Sequence, residues 1–173
     1  MDLLSFDAEP LFFDHPPAEE IVQLLQRAAE NYGDGQAEAD LQRAYCLAPD
    51  HLMVLVALFR YYVYQQRFAD AIAISQQARE VIRQPLELPH DWHTLSEAHL
   101  GSGHEKSMVM VRLYLLCLKG EAYLYARLGE SEKGIPLLEK VIEIDSNDHL
   151  KATALLALLN ENKMTRETDT TDS

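Results

Sequence analysis

The feature that most constrains this chain is an internal period. Ala37 returns as Ala71, Ala44 as Ala78 and Leu24 as Leu58, each 34 positions later, with Leu41 answered by Ser75. A second register, at 63 positions, pairs Leu55 with Leu118, Tyr62 with Tyr125, Ala71 with Gly134 and Ala78 with Val141. A unit of this length cannot bury its own apolar face, so the copies must stack on one another. Because 63 exceeds 34 by 29, the third copy follows an insertion of about that length.

Each copy reads as two amphipathic helices. Leu55, Leu58, Phe59 and Tyr62 recur at three- and four-residue spacing, as do Phe68, Ala71, Ile72, Ser75 and Ala78. That spacing puts each set on one helical face. Gln65-Gln66-Arg67 between them is long enough only for an antiparallel hairpin. Small residues at 71 and 78 allow the two helices to approach closely.

Large apolar residues, a turn, an aromatic, small residues and then proline form a pattern that resembles the tetratricopeptide repeat. Ala28, Ala37, Leu41, Ala44 and Pro49 carry it in the first copy, and Tyr62, Phe68, Ala71 and Ala78 in the second. Leu118, Ala122, Tyr125, Gly129, Gly134 and Leu138 carry it in the third. The first copy lacks the usual tyrosine, the second displaces its proline to Pro85, and the third has Ser146 instead. The resemblance implies an all-α, right-handed solenoid of stacked antiparallel helix pairs with a C-terminal capping helix. The repeats are expected at about 18–51, 52–84 and 115–148, within a helical domain at 18–163. An extended N-terminal arm (1–17) precedes them, containing Leu11, Phe12 and Phe13. A cap at about 148–161, using Leu155, Leu156 and Leu159, and a disordered polar tail at 164–173 follow.

Charge narrows the function. With 15 Lys and Arg against 28 Asp and Glu, the net charge is −13, a field that repels a phosphate backbone. Nucleic acid is therefore not an expected partner. Cys46 and Cys117 lie in apolar helical patterns and read as reduced core thiols. The longest apolar run, Leu52 to Phe59, is too short to cross a bilayer, and no basic region precedes the first apolar residues. These points predict a cytoplasmic protein without membrane insertion.

The insertion, about 85–114, concentrates His90, His93, His99 and His104 near Asp91, Glu97 and Glu105. Imidazole and carboxylate can bind a divalent metal if the chain gathers them. Their spacing matches no known ligand motif, and the simpler expectation is a polar surface loop with Trp92 packed against the helices. Gly101-Ser102-Gly103 lacks the lysine of a phosphate loop, and no serine sits in a nucleophile elbow. The expected function is thus non-enzymatic and without a cofactor. A metal-dependent enzyme or metal-responsive regulator built on the histidines is the alternative.

In the tetratricopeptide family, the first helix of each pair faces a concave groove. Carried onto this chain, the groove positions are Gln26, Met53, Val56, Arg60, Tyr64, Lys119, Tyr123 and Arg127. Cations and aromatics there suit an acidic or aromatic client segment. Family members that grip a terminal carboxylate use lysines, asparagines and an arginine on these helices. Val22, Gln26, Ala57 and Leu116 stand in most of those places, which argues against that clamp. The resemblance implies an adaptor or assembly chaperone, similar to bacterial secretion chaperones in size and acidity, and leaves homodimer formation open.

Overall fold

The computed structural model describes residues 16–33, 35–100 and 105–170, with only the backbone at 100, 105–107 and 162–170. The apolar arm residues Leu11, Phe12 and Phe13 lie outside the described residues, as do Gly101, Gly103, His104 and the last three positions. All described regular structure is helical, as the periodicity predicts. The α-helices are α1 (Glu19–Glu30), α2 (Gly35–Leu47), α3 (Leu52–Tyr64), α4 (Phe68–Arg83), α5 (Glu105–Arg127), α6 (Ser131–Ile144) and α7 (Ala152–Thr170). They pack as sequential antiparallel pairs. None among the described residues is long and apolar enough to cross a membrane.

The chain divides into two compact units, Met1–Val81 and Ile82–Ser173. In the first, α2 lies against both α1 and α3. Ile21, Leu24, Ala28, Ala37, Leu41, Ala44, Leu55 and Leu58 form its core. The Tyr45 hydroxyl donates to Gln77 Oε1 at 2.7 Å, and Gln77 Nε2 donates to the Pro49 carbonyl at 3.0 Å, tying α4 to α2. Arg27 of α1 grips the buried Asp40 of α2 in a fork, with Nε at 3.2 Å and Nη2 at 2.8 Å. This fork holds the Asp40 carboxyl below the usual carboxylate range.

In the second unit, α6 packs on α5 and on α7. Gly134 of α6 is the point of closest approach. A Cβ built there would stand 2.7 Å from the Ala122 carbonyl oxygen of α5 and 3.0 Å from a Leu159 methyl of α7. Leu118, Ala122, Leu138, Val141, Leu155 and Leu159 complete the core around it.

The two copies related by 63 residues share one turn, bond for bond. Arg67 N–H donates to Tyr62 O at 2.8 Å, and Glu130 N–H to Tyr125 O at 2.8 Å. Gln66 N–H donates to Val63 O and Gly129 N–H to Ala126 O, both at 3.0 Å. The residue that reverses the chain has positive φ in each case, 58° at Gln66 and 83° at Gly129. This left-handed ending satisfies the last helical carbonyls.

Several boundaries differ from the sequence expectation. The insertion is not a loop as far as residue 114, since α5 begins at Glu105 and buries Val111, Leu113 and Tyr114. Earlier in the insertion, Leu88 and Leu95 are fully buried, and their carbonyls accept from Arg83 Nη1 at 3.1 Å and Lys140 Nζ at 2.9 Å. Two apolar anchors and two cationic donors hold what composition suggested was a surface loop. Trp92–Thr94 and Glu97–Leu100 form short 3-10 turns there. The cap begins at Ala152 instead of 148, because Asp148 and Lys151 take positive φ, at 50° and 55°. It continues to Thr170, past the expected end at 161 and through most of the supposed tail. Glu161, Lys163, Met164, Arg166 and Glu167 are good helix formers, which accounts for the extension.

Candidate functional site

Aromatic side chains gather at one end of the first unit. Antiparallel packing brings the turn after α1 beside the C-terminal end of α3, and Gln65 Nε2 bonds the Tyr32 carbonyl at 3.3 Å. Tyr32 meets Tyr64 edge to face with ring centroids 5.5 Å apart, and Tyr61 at 5.7 Å. Such T-shaped contacts place the positive edge of one ring on the negative face of another. Tyr61 is buried beneath the cluster, whereas Tyr64 is 59% exposed, the most exposed of the large apolar side chains described. Burial raises the Tyr32 hydroxyl above its ordinary value, while the neighbouring Arg60 charge acts to lower it. A cationic side chain therefore borders an aromatic surface in a strongly acidic protein.

The eight positions carried over from the tetratricopeptide groove fare differently. Arg60 and Tyr64 join this cluster. Val56 is half-buried on α3, and Gln26 is exposed on α1. Met53 is buried in the core of the first unit. Tyr123 and Arg127 form a local pair on α5: Arg127 Nη1 donates to the Tyr123 hydroxyl at 2.9 Å, with the guanidinium 5.8 Å from the ring centre.

Lys119 is not a surface residue. It is 5% exposed, and its ammonium donates to the Leu150 carbonyl in the connection between α6 and α7. Burial lowers its pKa, with Asp148 opposing the shift. Asp145 Oδ2 accepts from the N–H of the same Leu150 at 2.7 Å. Burial alone would raise the Asp145 carboxyl, but bonds from the Leu150 and His149 N–H groups and the His149 ring hold it below the usual carboxylate range. Lys119 thus serves the scaffold by closing the last helix onto α5. Met53 and Lys119 are the two groove positions that the structure removes from any open surface.

Tyr32 was missed by the sequence reading. It precedes Gly33 in a turn, outside the first-helix positions that the tetratricopeptide resemblance assigns to the groove.

Among the histidines of the insertion, His93 lies 2.7 Å from Asp91 and stacks on Trp92 at 3.6 Å, and His99 bonds Ser96. His93 and His99 each have a local partner. Among the described residues, no three His, Cys, Asp or Glu side chains come together in a way that can hold a metal ion.

No family model matches the chain, and no solved structure does. It is 43% identical over 161 residues to a protein of Azotobacter chroococcum mcd 1 described as "Uncharacterized 19.8 kDa protein in nifW 5'region", an alignment covering 93% of this chain and 90% of that one. Identity at that level across nearly all of both chains places this protein in the same family as the 19.8 kDa protein of the nifW 5' region.

Proposed function

We propose that this protein is a non-enzymatic binding module, an adaptor or assembly chaperone that holds a segment of a partner protein. The helix pairs of each unit are read as tetratricopeptide-type repeats, with α3 in the first unit and α5 in the second as first helices of their pairs. One observation carries the reading: the Tyr32–Tyr64 surface beside Arg60. Aromatic and arginine side chains are the usual anchors of protein interfaces, the aromatics because they bury much area at little cost in conformational freedom and arginine because its planar fork makes several directed bonds. Tyr64 is held by ring contacts on one side and open on the other, so it needs no rearrangement before contact. Tyr123 and Arg127 offer the same residue types on α5.

The test is a pull-down from the native host followed by titration of the co-purifying protein. The relative's description makes the nifW product of the same host a sensible first bait. Arg60→Glu with Tyr64→Ala is expected to weaken binding by about thirtyfold or more, the effect of losing a 2 kcal/mol anchor. Helical circular dichroism should be unchanged, and reversing an exposed charge on α6, Glu132→Lys, should leave binding intact. A partner held as tightly by the Arg60/Tyr64 variant would place the binding surface elsewhere.

A further inference from the structure

We propose that two copies of this chain associate through the outer face of α7, antiparallel about a two-fold axis at Leu156. The inference stands apart from the Tyr32–Tyr64 surface. Ala152, Leu155 and Leu159 of this helix are buried in the second unit, where α7 packs on α6. Ala154, Ala157 and Leu158, at helical spacing on the other side, are exposed, Leu158 by 55%. Charged residues make up 25% of the chain, so an outward helix face should carry several, yet 152–160 contains none. Charge returns only at the two ends of the stretch, as Lys151 and Glu161, both exposed and opposite in sign.

That order is self-complementary. In an antiparallel pair, each residue lies level with the one equally far on the other side of Leu156 in the second copy. Two positions out, Leu158 of one copy meets Ala154 of the other, a large side chain beside a small one, and the same contact recurs across the axis. Five positions out, Lys151 lies level with Glu161, so an ion pair closes each end. A parallel pair in register would set lysine against lysine and glutamate against glutamate. The charges thus select both the occupant, a second copy, and its direction. From 151 to 161 the face runs only about 15 Å. That is short for a stable interface, which takes about 800 Å² from each partner, so the pair is a weak one, half formed near about 0.1 mM.

Sedimentation equilibrium of the full chain over roughly 0.01–0.5 mM tests this, in about 0.15 M salt to screen the −13 charge that each copy carries. Wild type is expected to dimerise. Leu158→Ser, at an exposed position outside the core, should weaken the dimer about thirtyfold, because each substitution is felt twice across the axis. Lys151→Glu and Glu161→Lys should each weaken it about tenfold for the same reason. Combining both reversals in one chain, or mixing the two single variants, should restore wild-type association, since every end then pairs opposite charges again. Circular dichroism checks that each variant keeps its helices. A wild type that stays monomeric at about 0.5 mM overturns the proposal. So does a dimer indifferent to Leu158→Ser, or reversals that the double variant and the mixture fail to rescue.

Discussion

The turn after α3 and the turn after α5 have the same hydrogen bonds and different residues. In the first unit Gln66 takes the left-handed conformation, and in the second Gly129 does. A side chain in that region costs about 1 kcal/mol or more relative to glycine. The aligned tyrosines are likewise covered by cations from different places. Arg67, inside the turn, sits 4.5 Å over the Tyr62 ring, while Lys133, a full helical turn further on, sits 5.7 Å over Tyr125. Backbone geometry is thus the shared element of the two copies, and side chains have found separate ways to satisfy it.

The helix contacts give the sharpest way to separate the copies. Residues 71 and 134 are aligned, yet Ala71 accommodates a methyl group and Gly134 has none to spare against the Ala122 backbone. Ala71→Leu should destabilise by about 1–3 kcal/mol, the usual range for overpacking. Gly134→Leu should cost about 3 kcal/mol or more, since a carbonyl cannot move aside as a side chain can. Urea denaturation of both variants checks the order, and equal losses would mean that the two contacts are alike. A smaller contrast comes from the turns. Gly129→Ala should lose about 1 kcal/mol, and Gln66→Gly should be neutral or gain about 0.5 kcal/mol, because relief of φ strain is partly offset by the flexibility of unfolded glycine. Thermal melts resolve that difference in sign.

The smallest expected effect is on pH dependence. Asp40 in the first unit and Asp145 in the second both have carboxyls held below their ordinary value. Their contribution to stability is complete above about pH 4, the unfolded carboxylate value, and is lost as pH falls through the lowered folded values. Asp40→Asn and Asp145→Asn should each flatten the acid limb of a stability–pH curve. A limb that keeps its slope in both variants would assign acid sensitivity to other carboxylates.

The shared turn was legible before any coordinates, because Tyr62 and Tyr125, and Ala71 and Gly134, align at one spacing. The all-helical class followed from the same periodicity. Other features had no such signal. The start of α5 was hidden by the histidines and glycines around it, although Val111, Leu115 and Leu118 continue one helical face. Lys119 read as a surface cation because lysine usually is one. Its partner is a backbone carbonyl 31 residues later, and a carbonyl leaves no mark in a sequence. At the candidate site, Arg60 and Tyr64 stand at positions that the tetratricopeptide resemblance assigns to the groove. Tyr32 does not, because it lies in a turn beyond the first helix on which those positions fall.

Leu150 fixes a length. Its N–H is held by Asp145, five residues before it, and its carbonyl by Lys119 on another helix. Adding or deleting one residue between 145 and 150 would pull one of these bonds out of reach and shift the start of α7 relative to α6. Leu159 would then leave its place against Gly134. The join before the final helix is therefore a poor place to splice, tag or lengthen this protein.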